Sequence, residues 1–441
     1  MNNFITRNLK GDKVVWMVFL LLCVVSVVEM FSSSTYLVSR TGSISAPILR
    51  HVTFIIAGCI AMFITMLVPF KLIRMLGYLG LGASWLLLVY TLFFGVEAAG
   101  AARFLNVGGF QFQPSELAKL SLLIVVADFT DRCQNETFQQ KAFPIYAGIV
   151  TVTCGLIFTE NLSTAAILFM VSAIMMFIGA VKFRRIAVWA SAILLFVGLI
   201  IGIAAVIPEE QYRESDNRVV KMFGRAYTWV ARIENFFVED TDPEAKYIIT
   251  DENRQVVHAQ IAVASGGLFG VGPGNSVQRN FLPEAFSDFI YAIIVEELGL
   301  VFGGILVIFL YMWLLFRAGK VARMSNSMFR AILVIGVTLM IVIQAFIHMG
   351  VAVHLGPVTG QPLPLISRGG TSILVNCVYF GIILSATRQI ALETQNVRRE
   401  EDGGEQMRSE EMTTEDVVVA EEAAAEETKG AEEIVFEEER S

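Results

Sequence analysis

Nine stretches of this chain approach or exceed the length and apolarity needed to cross a lipid bilayer as helix, and that property constrains every other reading of it. They lie near 14–31, 51–70, 75–94, 144–159, 163–181, 186–207, 289–316, 328–350 and 371–388. A hydrocarbon core of roughly 30 Å asks for about 20 such residues. With no water to pair its amides, a spanning segment of this kind must be a helix. Composition agrees: 55% of the 441 residues are hydrophobic and 17% charged, against about 25% charged in soluble domains. A tenth stretch, 115–130 (SELAKLSLLIVVADFT), is shorter and carries Glu116 and Lys119.

Charge decides whether the tenth stretch counts. With ten spans and an inner N-terminus, 14 lysines and arginines fall in cytoplasmic segments, while the short outer loops hold Arg40, Arg50, Arg103 and Arg368. That asymmetry is the positive-inside pattern. The expected fold class is therefore all-α: a polytopic membrane protein of ten transmembrane helices with both ends cytoplasmic. Residues 1–13 form the inner N-terminus and 14–390 the membrane domain. Residues 208–290 form a large extracytoplasmic segment between helices seven and eight, and 391–441 a tail. The net charge of −8 hides a split, because 391–441 carries 18 acids and 5 bases. So acidic and self-repelling a segment is expected to be disordered. The rest is slightly basic. The 208–290 segment is too long for a structureless connector. Its opening (QYRESDNRVVKMFGRAYTWVARIENFF) reads as amphipathic helix on the outer membrane surface, with Arg225 and Arg232 snorkelling to headgroups.

Five cysteines, an odd number without close pairs, indicate neither a disulfide framework nor a zinc site. The first apolar run is too long for a cleavable signal peptide and lacks a small-residue cleavage site. The four histidines form no ligand cluster.

On this topology the polar segments all face outward: 95–119, 159–164 (TENLST), 265–299 and 354–372. Non-helical backbone at membrane depth is tolerated only where protein buries it or it lines a wet cavity. Four such segments on one side imply a shared outward cavity. No nucleotide is at hand outside the cell, so a reaction there needs a substrate that carries its own activation. Asp288 follows a Pro283-Glu284-Ala285 turn at the start of an apolar helix. There it can serve as a general base or as a helix-capping carboxylate. Glu116 and Lys119 share a helix face and could pair, either functionally or to hold a short helix in the bundle. Glu297, two turns past Asp288, faces the bundle, with Glu296 beside it. Arg103 and Arg368 each suit phosphate in a bidentate fork or anchor to headgroups, and Arg368 precedes a helix N-terminus that favours anions.

Three of these segments are similar to motifs of the SEDS family of peptidoglycan polymerases. GAARFLNVGGFQFQPSELAKL resembles its loop-and-helix motif and SGGLFGVGPGNSVQRNFLPEAFSDFIYAIIVEELG its catalytic segment. LPLISRGGTS resembles its last-helix motif, and the match runs over about 10–390. Departures include Phe104 for a common tryptophan, Ser287 for threonine, Arg368 for tyrosine, and ENLST for Pro-Asp-Leu-Gly-Thr, so that Asn161 offers no charge. GVGPGNSVQRNFLPEA and the acidic tail look more like the cell-division branch than the elongation branch. The resemblance implies a glycosyltransferase of the bacterial inner membrane polymerising lipid II, a disaccharide-pentapeptide on undecaprenyl pyrophosphate. Asp288 would be the base, with substrate contacts from Arg103, Glu116, Lys119, Glu297, Ser367 and Arg368. It implies no required cofactor, though Mg or Mn could enter on the substrate's pyrophosphate. Expected partners are a class B penicillin-binding transpeptidase and other division proteins, not nucleic acid. A lipid II flippase and a passive scaffold for a transpeptidase are the rival functions.

Overall fold

In the computed structural model the described residues are 11–41, 45–98, 101–107, 110–206, 230, 232, 236, 249, 253–282, 285–396 and 398. The chain forms two compact units, Met1–Thr387 and Arg388–Ser441. Most of the acidic tail and most of the amphipathic stretch expected in 211–237, Arg225 included, lie outside the described residues.

The helices are α1 (Lys13–Thr41), α2 (Ser45–Leu67), α3 (Phe70–Phe94), α4 (Pro114–Arg132), α5 (Glu136–Phe158), α6 (Leu162–Ile178) and α7 (Phe183–Val206). After them come α8 (Arg254–Gly266), α9 (Ile290–Gly299), α10 (Leu306–Arg323) and α11 (Met328–Ala352), then α12 (Gly370–Asn396). Among the described residues, eight helical spans are long and apolar enough to cross a membrane, with α9 and α10 counting as one span. The other two expected crossings fall on α4, which is charged, and on α6, an apolar helix of 17 residues. The fold is all-α with one departure. Residues 96–112, read from sequence as a loop, form a three-stranded antiparallel sheet of β1 (Val96–Ala98), β2 (Ala101–Val107) and β3 (Phe110–Phe112). Two of its strands have only three residues and the third opens on two alanines, so no clear period-two pattern marks them.

Helix α4 is the buried centre, packed against α3, α5, α6 and α11. Glycines bring α3 onto it: a Cβ at Gly77 would stand 2.4 Å from the Ile124 side chain, and one at Gly80 2.5 Å from Ser121 Oγ. Burial by protein on all sides is what lets α4 carry charge. Glu116 and Lys119 pair at 2.7 Å with both side chains nearly sealed. At the other end Asp128, fully buried, meets Arg74 at 3.0 Å, Arg132 at 2.9 Å and the Tyr78 hydroxyl at 2.6 Å. Asp131 meets Arg74 and accepts from the Phe329 amide of α11 at 3.1 Å.

The segment after α8 clamps the end of α9. Val271 and Gly272 amides donate to the carbonyls of Glu296 and Glu297, each at 2.9 Å, and Leu300 donates to the Gly267 carbonyl at 2.9 Å. These bonds divert α9 out of helix at Gly299, and the chain resumes through a π turn, Leu300–Ile305, before α10. Gly270 (φ 82°) and Gly299 (φ 78°) meet backbone to backbone, and a Cβ at Gly270 would lie 2.2 Å from the Glu297 carbonyl oxygen. The two glutamates complete the clamp. Glu296 accepts from the Ser276 hydroxyl and from the Val277 (3.0 Å) and Gln278 (3.3 Å) amides. Glu297 accepts from Ser32 of α1 and from the Gly274 amide at 3.0 Å, with Arg279 at 3.7 Å. Arg279 in turn donates to the Ser32 carbonyl at 2.7 Å.

Glu296→Ala strands three donors and should lower stability by about 3 kcal/mol. Glu296→Gln keeps one acceptor oxygen and should lose about half as much. The thermal unfolding midpoint of the detergent-solubilised protein reads both.

Candidate active site

Asp288 lies in the turn that leads into α9, half-buried, with the Ser287 hydroxyl donating to its Oδ1 at 3.0 Å. That turn is held by the loop before α12. The Ser367 hydroxyl donates to the Ser287 carbonyl at 2.7 Å and accepts from the Leu363 amide at 2.6 Å, and the Arg368 amide donates to the Phe286 carbonyl at 2.9 Å. On the same loop Gly360 (φ 61°) comes so near that a Cβ there would lie 3.4 Å from Asp288 Oδ2. Leu365 takes a left-handed φ of 65°, a strain of about 1–3 kcal/mol for a side chain of this size. It is held there by Ser367 on one side and by Tyr311, whose hydroxyl donates to the Pro364 carbonyl at 2.6 Å, on the other.

The loop is stitched to the bundle by buried side chains. Gln344 of α11 donates to the Pro362 carbonyl at 2.9 Å, and Gln361 donates to Thr164 of α6 at 2.9 Å. His348 of α11 bridges loop and α9: Nδ1 donates to the Gln361 carbonyl at 2.7 Å and Nε2 accepts from the Tyr291 amide at 3.4 Å. These bonds fix its tautomer. At α4, the Gln113 amide donates to Thr371 (3.3 Å), which donates to the Gln111 carbonyl (3.1 Å).

Two arginines lie within electrostatic reach of Asp288. Arg103 on β2 donates through Nε to the Glu160 carbonyl at 3.0 Å. Burial pulls its guanidinium below the usual arginine range, while Asp288 and Glu160 push the other way. Arg232 donates to the Val358 carbonyl at 3.0 Å. Its guanidinium is lowered by burial and then by Arg103, with Asp288 opposing. All four polar segments singled out in the sequence thus contribute to the packing around Asp288.

Of the residues named from sequence, Asp288 and Arg103 come together, and Ser367 holds the carbonyl next to Asp288. Glu116 and Lys119 face each other within α4, and Glu297 lies in the α1–Arg279 clasp. Arg368 has its amide in the loop and its side chain exposed, within electrostatic reach of His51. Arg232, assigned from sequence to lipid headgroups, instead stands with Arg103. Its sequence signal was no more than amphipathic spacing, which does not tell a headgroup from a protein partner. Among the described residues no three His, Cys, Asp or Glu side chains gather as metal ligands. A carboxylate faced by two guanidinium groups does not fit a protein-held Mg or Mn.

Residues 12–391 match the model of the cell cycle protein family of FtsW, RodA and SpoVE. The chain belongs to that family. It is 32% identical to a probable peptidoglycan glycosyltransferase FtsW of Coxiella burnetii, over 79% of this chain and 87% of that one. It is 29% identical to stage V sporulation protein E of Bacillus subtilis, over 87% and 98%. Its fold is that of Thermus thermophilus rod shape determining protein RodA (TM-score 0.58, 22% identity, 86% and 97% covered). It is also that of a chain from a peptidoglycan synthase complex that coordinates polymerisation and crosslinking (TM-score 0.64, 21% identity, 86% and 98% covered).

Ser367→Ala removes the hinge pin of the loop. The Arg368 amide, bonded to Phe286, should then exchange with deuterium about tenfold faster, for a loss of about 1–1.5 kcal/mol.

Proposed function

We propose that this chain polymerises lipid II into glycan strands for septal wall synthesis, with Asp288 as general base. The observation that carries this is one reachable carboxylate, braced by the loop before α12 and flanked by Arg103 and Arg232. In the reaction the acceptor sugar's 4-hydroxyl attacks the anomeric carbon of the lipid-linked donor. Its proton passes to Asp288, the glycosidic bond forms, and the bond to the lipid pyrophosphate breaks. The leaving group is a dianion or more, and two guanidinium groups beside the base would stabilise its charge as it develops. The substrate contact that the resemblance implied for Lys119 passes in this reading to Arg232, since Lys119 is engaged by Glu116 inside α4. The donor brings its own activation, so no nucleotide is needed.

The names of the similar FtsW proteins support the division role. A class B penicillin-binding transpeptidase is the partner we propose, by analogy with the synthase complex that shares the fold. A flippase would need a polar route through the inner half of the bilayer. On the proposed topology the inner ends of α3, α4 and α11 are instead tied together through Asp128, Asp131 and Arg74.

Purified Asp288→Ala and Asp288→Asn should lose about 10²–10⁴-fold in lipid II polymerisation, with membrane insertion and thermal midpoint unchanged. Near-normal strand synthesis by Asp288→Asn would remove it from the mechanism.

Orientation is tested separately. The proposal places both termini in the cytoplasm and the 208–290 segment outside. A reporter fused after residue 392 should read internal, and one inserted in 208–290 external. An external tail would mean that α4 does not cross.

A further inference from the structure

Helix α9 starts two residues after Asp288, and its first turn leaves amide donors that the helix itself cannot pair. Phe289 stands at the N-cap and brings no side-chain acceptor. One of those amides, that of Tyr291, donates instead to His348 Nε2 of α11 at 3.4 Å. Since the amide is a donor, Nε2 presents a lone pair to it, and the ring hydrogen sits on Nδ1. From there it reaches the Gln361 carbonyl at 2.7 Å. The imidazole is 1% exposed, so water does not compete for either bond.

This bridge joins the two segments that meet at Asp288. Tyr291 lies three residues after Asp288, in the first turn of α9. Gln361 follows Gly360, whose backbone (φ 61°) comes so near that a Cβ would lie 3.4 Å from Asp288 Oδ2. Gln344, one turn earlier on α11, holds the Pro362 carbonyl at 2.9 Å, and Thr164 accepts from the Gln361 side chain at 2.9 Å. Those two bonds tie the loop to α11 and α6, whereas His348 carries the connection through to α9. An imidazole is a rigid planar ring whose two nitrogens keep a fixed separation, so the bridge sets a spacing as well as a contact. Catalysis depends on such spacing: a displacement of about 1 Å at a reacting group can cost about 10²-fold in rate.

We infer that His348 is a positioning residue for the polymerisation reaction: its imidazole is a spacer that sets the Gly360 backbone against the Asp288 carboxylate by holding the loop and the first turn of α9 at once. This inference rests on Asp288 being the general base. A spacer has one property that two independent bonds lack, which is that cutting it at either end releases it whole.

The test compares wild type, His348→Asn, His348→Gln, His348→Ala and Asp288→Asn as full-length proteins with purified lipid II. The Asn amide reaches about as far as Nδ1 and keeps a donor for the Gln361 carbonyl. The Gln amide reaches about as far as Nε2 and keeps an acceptor for the Tyr291 amide. Each should lower kcat about tenfold with KM within about twofold of wild type, and His348→Ala should lose about as much as either. Wild-type kcat in the Asn or the Gln variant would overturn the inference, and so would a raised KM with unchanged kcat. Losses in Asn and Gln that multiply to the loss in Ala would also overturn it, because two independent bonds behave that way. Thermal midpoints are measured in parallel. A collapse in both the Asn and the Gln variant would make His348 a strut of the fold and end its assignment as a positioning residue. If Asp288→Asn polymerises normally, it is the base assignment that fails; normal His348 variants beside an inactive Asp288→Asn defeat this inference alone.

Discussion

Backbone amides that cannot reach water must find partners inside the protein, and in this chain three non-helical segments find them within themselves, at the end of α9 and in one another. The strands of 96–112, the 266–289 segment and the loop of 354–369 all depart from helix among membrane helices. Ser367 joins the last two, Thr371 joins the loop's end to the strand sheet, and the diverted carbonyls of Glu296 and Glu297 receive the amides of Val271 and Gly272. Each segment is therefore ordered by its neighbours, and Asp288 sits where their constraints coincide. The position of the Asp288 turn is set by this pairing and not by any single helix.

The charged groups are distributed by the same logic. Each strongly buried carboxylate described above lies with basic groups or hydrogen-bond donors: Glu116 with Lys119, Asp128 with Arg74 and Arg132, and Glu297 with Arg279 and Ser32. Those sets are closed on themselves. The group around Asp288 differs in being half-buried. Reachability by a polar substrate, not burial alone, distinguishes a site from a strut.

Much of this was legible in the sequence. Apolar runs of membrane length gave most of the helices, because in lipid length and hydropathy are nearly the whole of the code. Gly and Pro density marked the four segments that come together, and position at a helix start marked Asp288. What pattern could not supply was partnership. Glu297 and Asp288 were both named as site residues, yet Arg279 and Ser32 claim Glu297. Arg232 looked like a surface residue of an amphipathic stretch, and the small sheet was too short to announce itself. For Glu297 and Arg232 the deciding contact comes from a segment far away in the chain.

The meeting of Gly270 and Gly299 has a consequence for how this protein can change over generations. The contact is main chain on main chain, so it specifies nothing chemical and yet admits no side chain at either position. Each glycine is frozen by the other, and no compensating substitution elsewhere can release just one of them. Around them Leu268, Phe269 and Phe302 are largely exposed and free to vary with whatever lipid or protein they meet. The joint between α9 and α10 is thus a main-chain contact with no room for a side chain, set in an exposed apolar surface. It can persist through drift that would erase a joint built from side chains.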